Sequence, residues 1–405
     1  MRLHIYFEIT GTRVWSWTLV ATVTILGAVA TPIGADEAKL NYPPSPKAPA
    51  TSEYFGTRVT EEYRWLEDGT NAKVQEWVDA QNKLTRNFLD AFPGRAAIAE
   101  RVKDLFSEQS STYSSLKKQG DLLFAMKNQP PKQQPVLVAL KSPEDTTSEQ
   151  VLVDPNKLDT SGRTAIDFYV PSHDARMVAV SLSKGGSEDG SVHIYEIATG
   201  RELPDVVPHV NYPTAGGSVT WSADNTGFFY TKYPSTGEKR PEDAHFFQQV
   251  YFHKLGTPVT SDKYQVGKEF PRIAEVALES SGDGRYVLAT VSNGDGGEYA
   301  HFLQGPAGAW SQITQLSDKI SEARFGLNGS LYLLSRKDAP NGKILQMPLT
   351  VTELSKTQTI VPQSSEAISD FLPTSDRLYV VDLVGGPTHI RVYGLAGDSV
   401  GSIPS

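Results

Sequence analysis

The chain has 405 residues, with 38 basic and 47 acidic side chains for a net charge of −9, and no cysteine. That balance disfavours a nucleic-acid partner, which needs a basic face. The lack of cysteine excludes disulfides, thiolate nucleophiles, iron–sulfur clusters and cysteine zinc sites. Hydrophobic residues at 39% and charged residues at 21% are ordinary for a globular protein, long enough for two or three domains or one large repeat array.

Arg2 and Arg13 flank the start, and Val14–Ala30 is an uncharged apolar run of 17 residues ending in the small residues Ala28-Val29-Ala30, then Ile33-Gly34-Ala35. Basic, apolar, then small is the order of a secretory signal cleaved after Ala30 or Ala35. A retained anchor is the alternative, although the run sits at the short end of what spans a bilayer. Residues 1–35 are therefore expected to be a signal peptide. The mature chain is expected to be secreted or periplasmic, with no stable membrane insertion. The proline-rich Asn41–Pro49 should be an extended linker. From Asn71 onward, Val74, Trp77, Val78, Leu84, Phe88 and Leu89 fall on one helical face, and Val102, Leu105 and Phe106 continue it after Pro93-Gly94. Residues 36–107 thus read as a linker and helical segment whose apolar face must pack on something.

From residue 108 the texture changes to short β-rich runs. A turn of Ser/Asp/Gly character before an alternating strand recurs at Asp121, Asp174, Asp224, Asp283, Asn328 and Asp376, at spacings of 53, 50, 59, 45 and 48 residues. A sandwich seldom sustains such a period. The repeat predicts an all-β fold over residues 108–405, a β-propeller with one four-stranded blade per unit. Only 29 residues follow Asp376. The last blade is therefore expected to be incomplete, or a seventh to be missing, and the chain reads as truncated at its carboxyl end.

Tyr54-Phe55-Gly56-Thr57-Arg58-Val59, Glu62-Tyr63-Arg64-Trp65-Leu66-Glu67-Asp68 and Ala80-Gln81-Asn82-Lys83-Leu84-Thr85 resemble the opening of the prolyl oligopeptidase family. Val153-Asp154-Pro155-Asn156, Glu202-Leu203-Pro204-Asp205-Val206, Phe229–Pro234 and His253-Lys254-Leu255-Gly256-Thr257 extend the resemblance from about Tyr42 to the last residue. The resemblance implies a seven-bladed propeller that caps an α/β-hydrolase domain, whose Ser, Asp and His form a serine-type endopeptidase acting on short peptides. It also implies that the amino-terminal helices, with Trp65, Trp77 and Phe88, pack on that domain.

No catalytic set is expected within this chain. Gly397-Asp398-Ser399-Val400-Gly401 has the nucleophile-elbow pattern, but four residues leave no room for the helix, the acid or the histidine that must follow; a turn within a blade is the plainer reading. Ser114–Lys117 and Ser181–Lys184 match S-x-x-K and read as solvated surface. His245 and His253 read as ordinary loop and strand residues, and Asp154-Pro155-Asn156 as a turn rather than a calcium loop. No cofactor and no metal are expected.

Alignment through Ser281–Leu288 puts Ser292 where the resemblance implies a substrate-binding arginine, which a serine replaces with a weaker donor. Tyr212 matches an aromatic pocket position, with plain blade packing as the alternative. Asp295 and Glu188 fall near the same rim, either drawing a peptide's amino end or standing as exposed loop acids. Two functions follow: the propeller part of a secreted peptidase, gating access of short peptides and inactive alone, or a stand-alone binding module.

Overall fold

A computed structural model describes residues 40–107, 110–211, 213–234 and 237–403. The signal-like residues 1–35 and Tyr212 lie outside the described residues. The chain divides into two compact units, Met1–Glu100 and Arg101–Ser405, with helix Arg95–Ser107 running across the division. Among the described residues, no helix is long and apolar enough to cross a membrane.

In the first unit, Ala50–Tyr54 and Thr57–Glu61 form an antiparallel hairpin. Asn71 caps helix Ala72–Asp90 by accepting the Lys73 N–H at 3.0 Å, satisfying one of the donors a helix start leaves free. The proline-rich stretch is not a free linker. Trp65 Nε1 donates to the Pro46 carbonyl at 2.9 Å, Trp77 Nε1 to Ser45 Oγ at 2.9 Å, and Gln81 Nε2 to the Pro43 carbonyl at 3.3 Å. The two indoles meet edge to face at 6.5 Å. The indole N–H groups find acceptors in the strap's Pro46 carbonyl and Ser45 hydroxyl. Trp65 and Trp77 are half-buried under the strap, whereas Phe88 is 54% exposed. Leu89, Phe92 and Ile98 are exposed with it, as are Val102, Leu105 and Phe106 further along Arg95–Ser107.

The second unit holds six four-stranded antiparallel sheets, each a simple meander. Their innermost strands are Thr112–Gln119 (sheet I), Thr164–Pro171 (II), Val219–Trp221 (III), Val276–Ser280 (IV), Ile320–Phe325 (V) and Ala367–Pro373 (VI). The expected incomplete last blade is corrected: sheet VI continues through Arg377–Leu383, Thr388–Gly394 and Ser399–Ile403. Each repeat anchor marks the turn after a first strand, so the residues beyond Asp376 need to supply only three more.

That turn explains the repeat. Ser172 Oγ donates to Asp174 Oδ1 at 2.7 Å, and the same Asp oxygen accepts the Arg176 N–H at 3.1 Å. Ser222 with Asp224 and Ser281 with Asp283 repeat the arrangement. At the tip of the third, Gly284 has φ +69°, and an added Cβ would lie 2.7 Å from His173 Nε2.

Strand side chains alternate between two cores because both faces of each blade are covered. Val178 and Val180 pack toward sheet I, and Ala179 between them toward sheet III. Phe228 and Tyr230 join the core with sheet II, while Phe229 joins the core with sheet IV. Leu331 and Leu333 face sheet IV, and Tyr332 and Leu334 face sheet VI.

A cross-strand row in sheet IV runs Ala277, Thr290, His301, Thr314, with His301 and Thr314 buried. His301 Nδ1 lies 2.7 Å from Thr314 Oγ1, and its Nε2 has no partner among the described residues. Burial holds the imidazole down to about 3. The unfolded chain takes up this proton near 6.5 and the folded chain does not, so stability should fall as pH drops below 6.5, by up to about 1.4 kcal/mol per pH unit. His301→Gln should flatten that acid limb in urea melts taken between pH 7 and pH 4.5. An unchanged slope would show that the histidine is not held neutral.

Candidate functional site

The first strands of sheets I to IV, with the loops beside them, line an open cavity of about 540 Å³ at the propeller axis. Phe168 and Val170 of sheet II, Val219 of sheet III and Leu278 of sheet IV supply apolar wall, while Lys117, Glu275 and Asp295 supply charge. Apolar lining with a few convergent polar groups is the usual make-up of a ligand pocket. Buried Gln248 fastens two walls together: its Nε2 donates to the Gly216 carbonyl at 2.9 Å and its Oε1 accepts the Val276 N–H at 2.7 Å. Chain segments press together beside it, since a Cβ on Gly217 would fall 1.5 Å from the Asn211 oxygen.

Two of the sequence-predicted residues, Ser292 and Asp295, line this cavity. The Ser292 hydroxyl faces the backbone of Glu275, accepting its N–H and donating to its carbonyl, each at 3.3 Å. Asp295 is exposed. Glu188 is exposed in the left-handed region at φ 58° on the loop after Met177–Lys184, and it is not part of the cavity lining. It faces Asp167, whose carboxyl is pushed up by burial against hydrogen bonds from Ser183 and Ser181, with the Glu188 charge adding to the rise.

The sequence reading missed Lys117 and Glu275. Ser114 and Lys117 are both exposed, as expected, but Lys117, set off from Ser114 by a bulge, lines the cavity, where its Nζ donates to the Tyr169 carbonyl at 2.9 Å. Ser181 of the second S-x-x-K, by contrast, is buried, donating to Asp167 at 2.9 Å. Beyond the cavity the axis remains charged. Glu279 stays open to water, yet the protein around it desolvates the carboxyl and pushes it up to about 7, with Arg324 opposing and Glu322 adding to the shift. Arg324 pairs with Glu322, with Asp370 at 3.0 Å, and with the Phe371 carbonyl at 2.6 Å.

The remaining motifs resolve as structure. Ser399 opens the strand Ser399–Ile403 after a tight turn in which the Gly394 N–H donates to the Asp398 carbonyl at 2.8 Å. Asp154 caps the short helix Pro155–Leu158 and pairs with Lys132 at 2.8 Å. Glu366, Asp382 and His389 bring three ligand atoms within 4.8 Å of one another. Both Asp382 oxygens already accept from Arg391, at 2.5 and 2.7 Å, so its charge is neutralised by a bidentate cation.

Compared with known proteins, residues 43–404 match the family model described as prolyl oligopeptidase, N-terminal beta-propeller domain. The chain is 28% identical over 336 residues to the prolyl endopeptidase of Elizabethkingia meningoseptica, covering 81% of this chain and 46% of that protein. It is 25% identical over 388 residues to prolyl oligopeptidase A of Amanita bisporigera, covering 85% and 50%. The chain thus spans about half the length of the curated relatives it matches. Among solved structures, a chain from a study of two prolyl endopeptidases superposes with a TM-score of 0.78 at 22% identity, covering 90% of this chain and 53% of that one. Prolyl oligopeptidase B from Galerina marginata, bound to a 35mer substrate, gives 0.73 at 18%, covering 90% and 54%. At those identities the structural likeness speaks to the fold.

Proposed function

Because the chain belongs to the prolyl oligopeptidase family, as its amino-terminal β-propeller portion, we propose that it is the substrate-screening part of a secreted serine-type endopeptidase acting on short peptides. The axial cavity carries this reading, since its mixed apolar and charged lining and its volume of about 540 Å³ suit a short extended peptide. The α/β-hydrolase domain that completes such a peptidase would dock on the exposed Phe88, Leu89, Phe92 and Ile98 of the first unit. Exposed large apolar side chains on one short segment mark an interaction surface, and a stand-alone binding propeller has no use for them. The order of basic, apolar and small residues at the start supports export, which amino-terminal sequencing of the exported protein would test at Thr31 or Asp36.

Alone, the chain should not hydrolyse a proline-containing chromogenic peptide; turnover abolished by Ser399→Ala would overturn this. Reading the source DNA beyond the codon for Ser405 tests the reading as a whole. A frame containing G-x-S-x-G with a later Asp and His is the expected result. A stop with no such remnant would favour the stand-alone binding module.

A further inference from the structure

Within the axial cavity the charges are separated rather than paired. Lys117 Nζ has three donors. One goes to the Tyr169 carbonyl at 2.9 Å, and the ammonium stands 5.2 Å from the Tyr169 ring centroid. Lys117 is exposed, yet the protein around it lowers its proton affinity, with the charge of Glu279 opposing that shift. Lys117 is thus an exposed ammonium on the cavity wall whose charge only Glu279 among the described residues meets, and at a distance, which leaves it able to bond an anion that enters the cavity.

The opposite arrangement holds at the other end of the same wall. Glu275 and Asp295 form no ion pair among the described residues, and the Glu275 carboxyl is pushed up by burial and then by the Asp295 charge. A cation placed between them would relieve that repulsion. From Glu275 to Glu279, the acid that Lys117 feels, the strand rises four residues, about 13 Å. An extended chain of about four residues spans the same length at about 3.3 Å per residue.

We propose that Lys117 anchors the terminal carboxylate of a short peptide lying along the propeller axis, with its amino end toward Glu275 and Asp295. This inference rests on the cavity receiving peptides and adds a polarity and a length to that reading. It makes Lys117 a specificity-determining residue that favours peptides ending near it with a free carboxylate.

Calorimetric titration of the purified chain with a tetrapeptide as the free acid and as the carboxamide tests it, with acetate as competitor. The acid should bind about tenfold more tightly than the amide, since the charge-assisted bond is lost with the carboxylate. Lys117→Met should bring the two within about twofold, and Lys117→Arg should keep the preference, both variants melting cooperatively like the parent. Acetate at millimolar concentration should not displace the peptide. Equal binding of acid and amide, or a preference that survives in Lys117→Met, would overturn the Lys117 anchor alone. Displacement by acetate would reduce the site to one for any small carboxylate and overturn the peptide. Failure of both peptides to bind would remove the peptide-receiving reading together with the anchor.

Discussion

Replacing Trp221 with alanine should lower the unfolding free energy by about 3–5 kcal/mol, the usual cost of emptying a large aromatic site in a core. Trp221 is 1% exposed and sits where sheets II and III meet. Its ring packs against Phe228 edge to face at 5.6 Å, and its Nε1 donates to the Val170 carbonyl at 2.9 Å, so one side chain supplies both apolar area and a hydrogen bond across the sheet boundary. Trp221→Phe keeps most of the area but strands the Val170 carbonyl, which should cost about 1–3 kcal/mol. Urea midpoints of the two variants separate the contributions. A loss under 1 kcal/mol for the alanine variant would mean that the boundary repacks freely.

Asp262→Asn should cost about 3–5 kcal/mol, because it breaks a buried charge cluster from one side. His253 Nδ1 lies 2.8 Å from Asp262 and Nε2 lies 3.3 Å from Asp205, while Tyr230 donates its hydroxyl to the other Asp262 oxygen at 2.9 Å. Asp205 also accepts the Gly256 N–H at 2.6 Å, so the cluster ties the outer strand of sheet II to sheet III. Burial alone would lower the proton affinity of His253, but the bond and charge of Asp262, then those of Asp205, outweigh it and hold the imidazole above its ordinary 6.5. Because the folded-state value is raised, this contribution is complete below pH 6.5 and is lost as pH rises through the folded value. The parent should therefore lose stability on the alkaline side in a way that Asp262→Asn does not. Coincident pH profiles of parent and variant would contradict a protonated His253. His301 works in the opposite direction, on the acid side, so the two histidines bracket the pH range of greatest stability.

The propeller was legible because its signal is local. A Ser–Asp pair two residues apart writes its own turn, as at Ser281 and Asp283, and alternation shows in runs such as Phe228–Tyr230. The same locality misled at sheet VI, where counting from the turn at Asp376 overlooked the strand already laid down before it. The charged axis was illegible because it is made by chain segments far apart in sequence. Bulges in the innermost strands, between Ser114 and Lys117 and between Ile320 and Glu322, shift which side chains face the axis, and no pattern of residue types announces them. His253 reads as an ordinary strand residue until Asp205, 48 positions earlier, is brought against it. Trp77 fits a helical stripe and Trp65 precedes it, yet their acceptors come from the proline strap 32 and 19 positions away.

The central claim is that this propeller screens peptides by size for a catalytic domain. The most direct test replaces the propeller portion of the Elizabethkingia meningoseptica prolyl endopeptidase with residues 40–405 of this chain, confirms cooperative melting and labelling of the catalytic serine, and compares cleavage of one site in an octapeptide and in an unfolded polypeptide about ten times longer. The account predicts that the chimera cleaves the octapeptide and spares the long chain by at least about tenfold. Equal cleavage of both by the folded, serine-labelled chimera would contradict it.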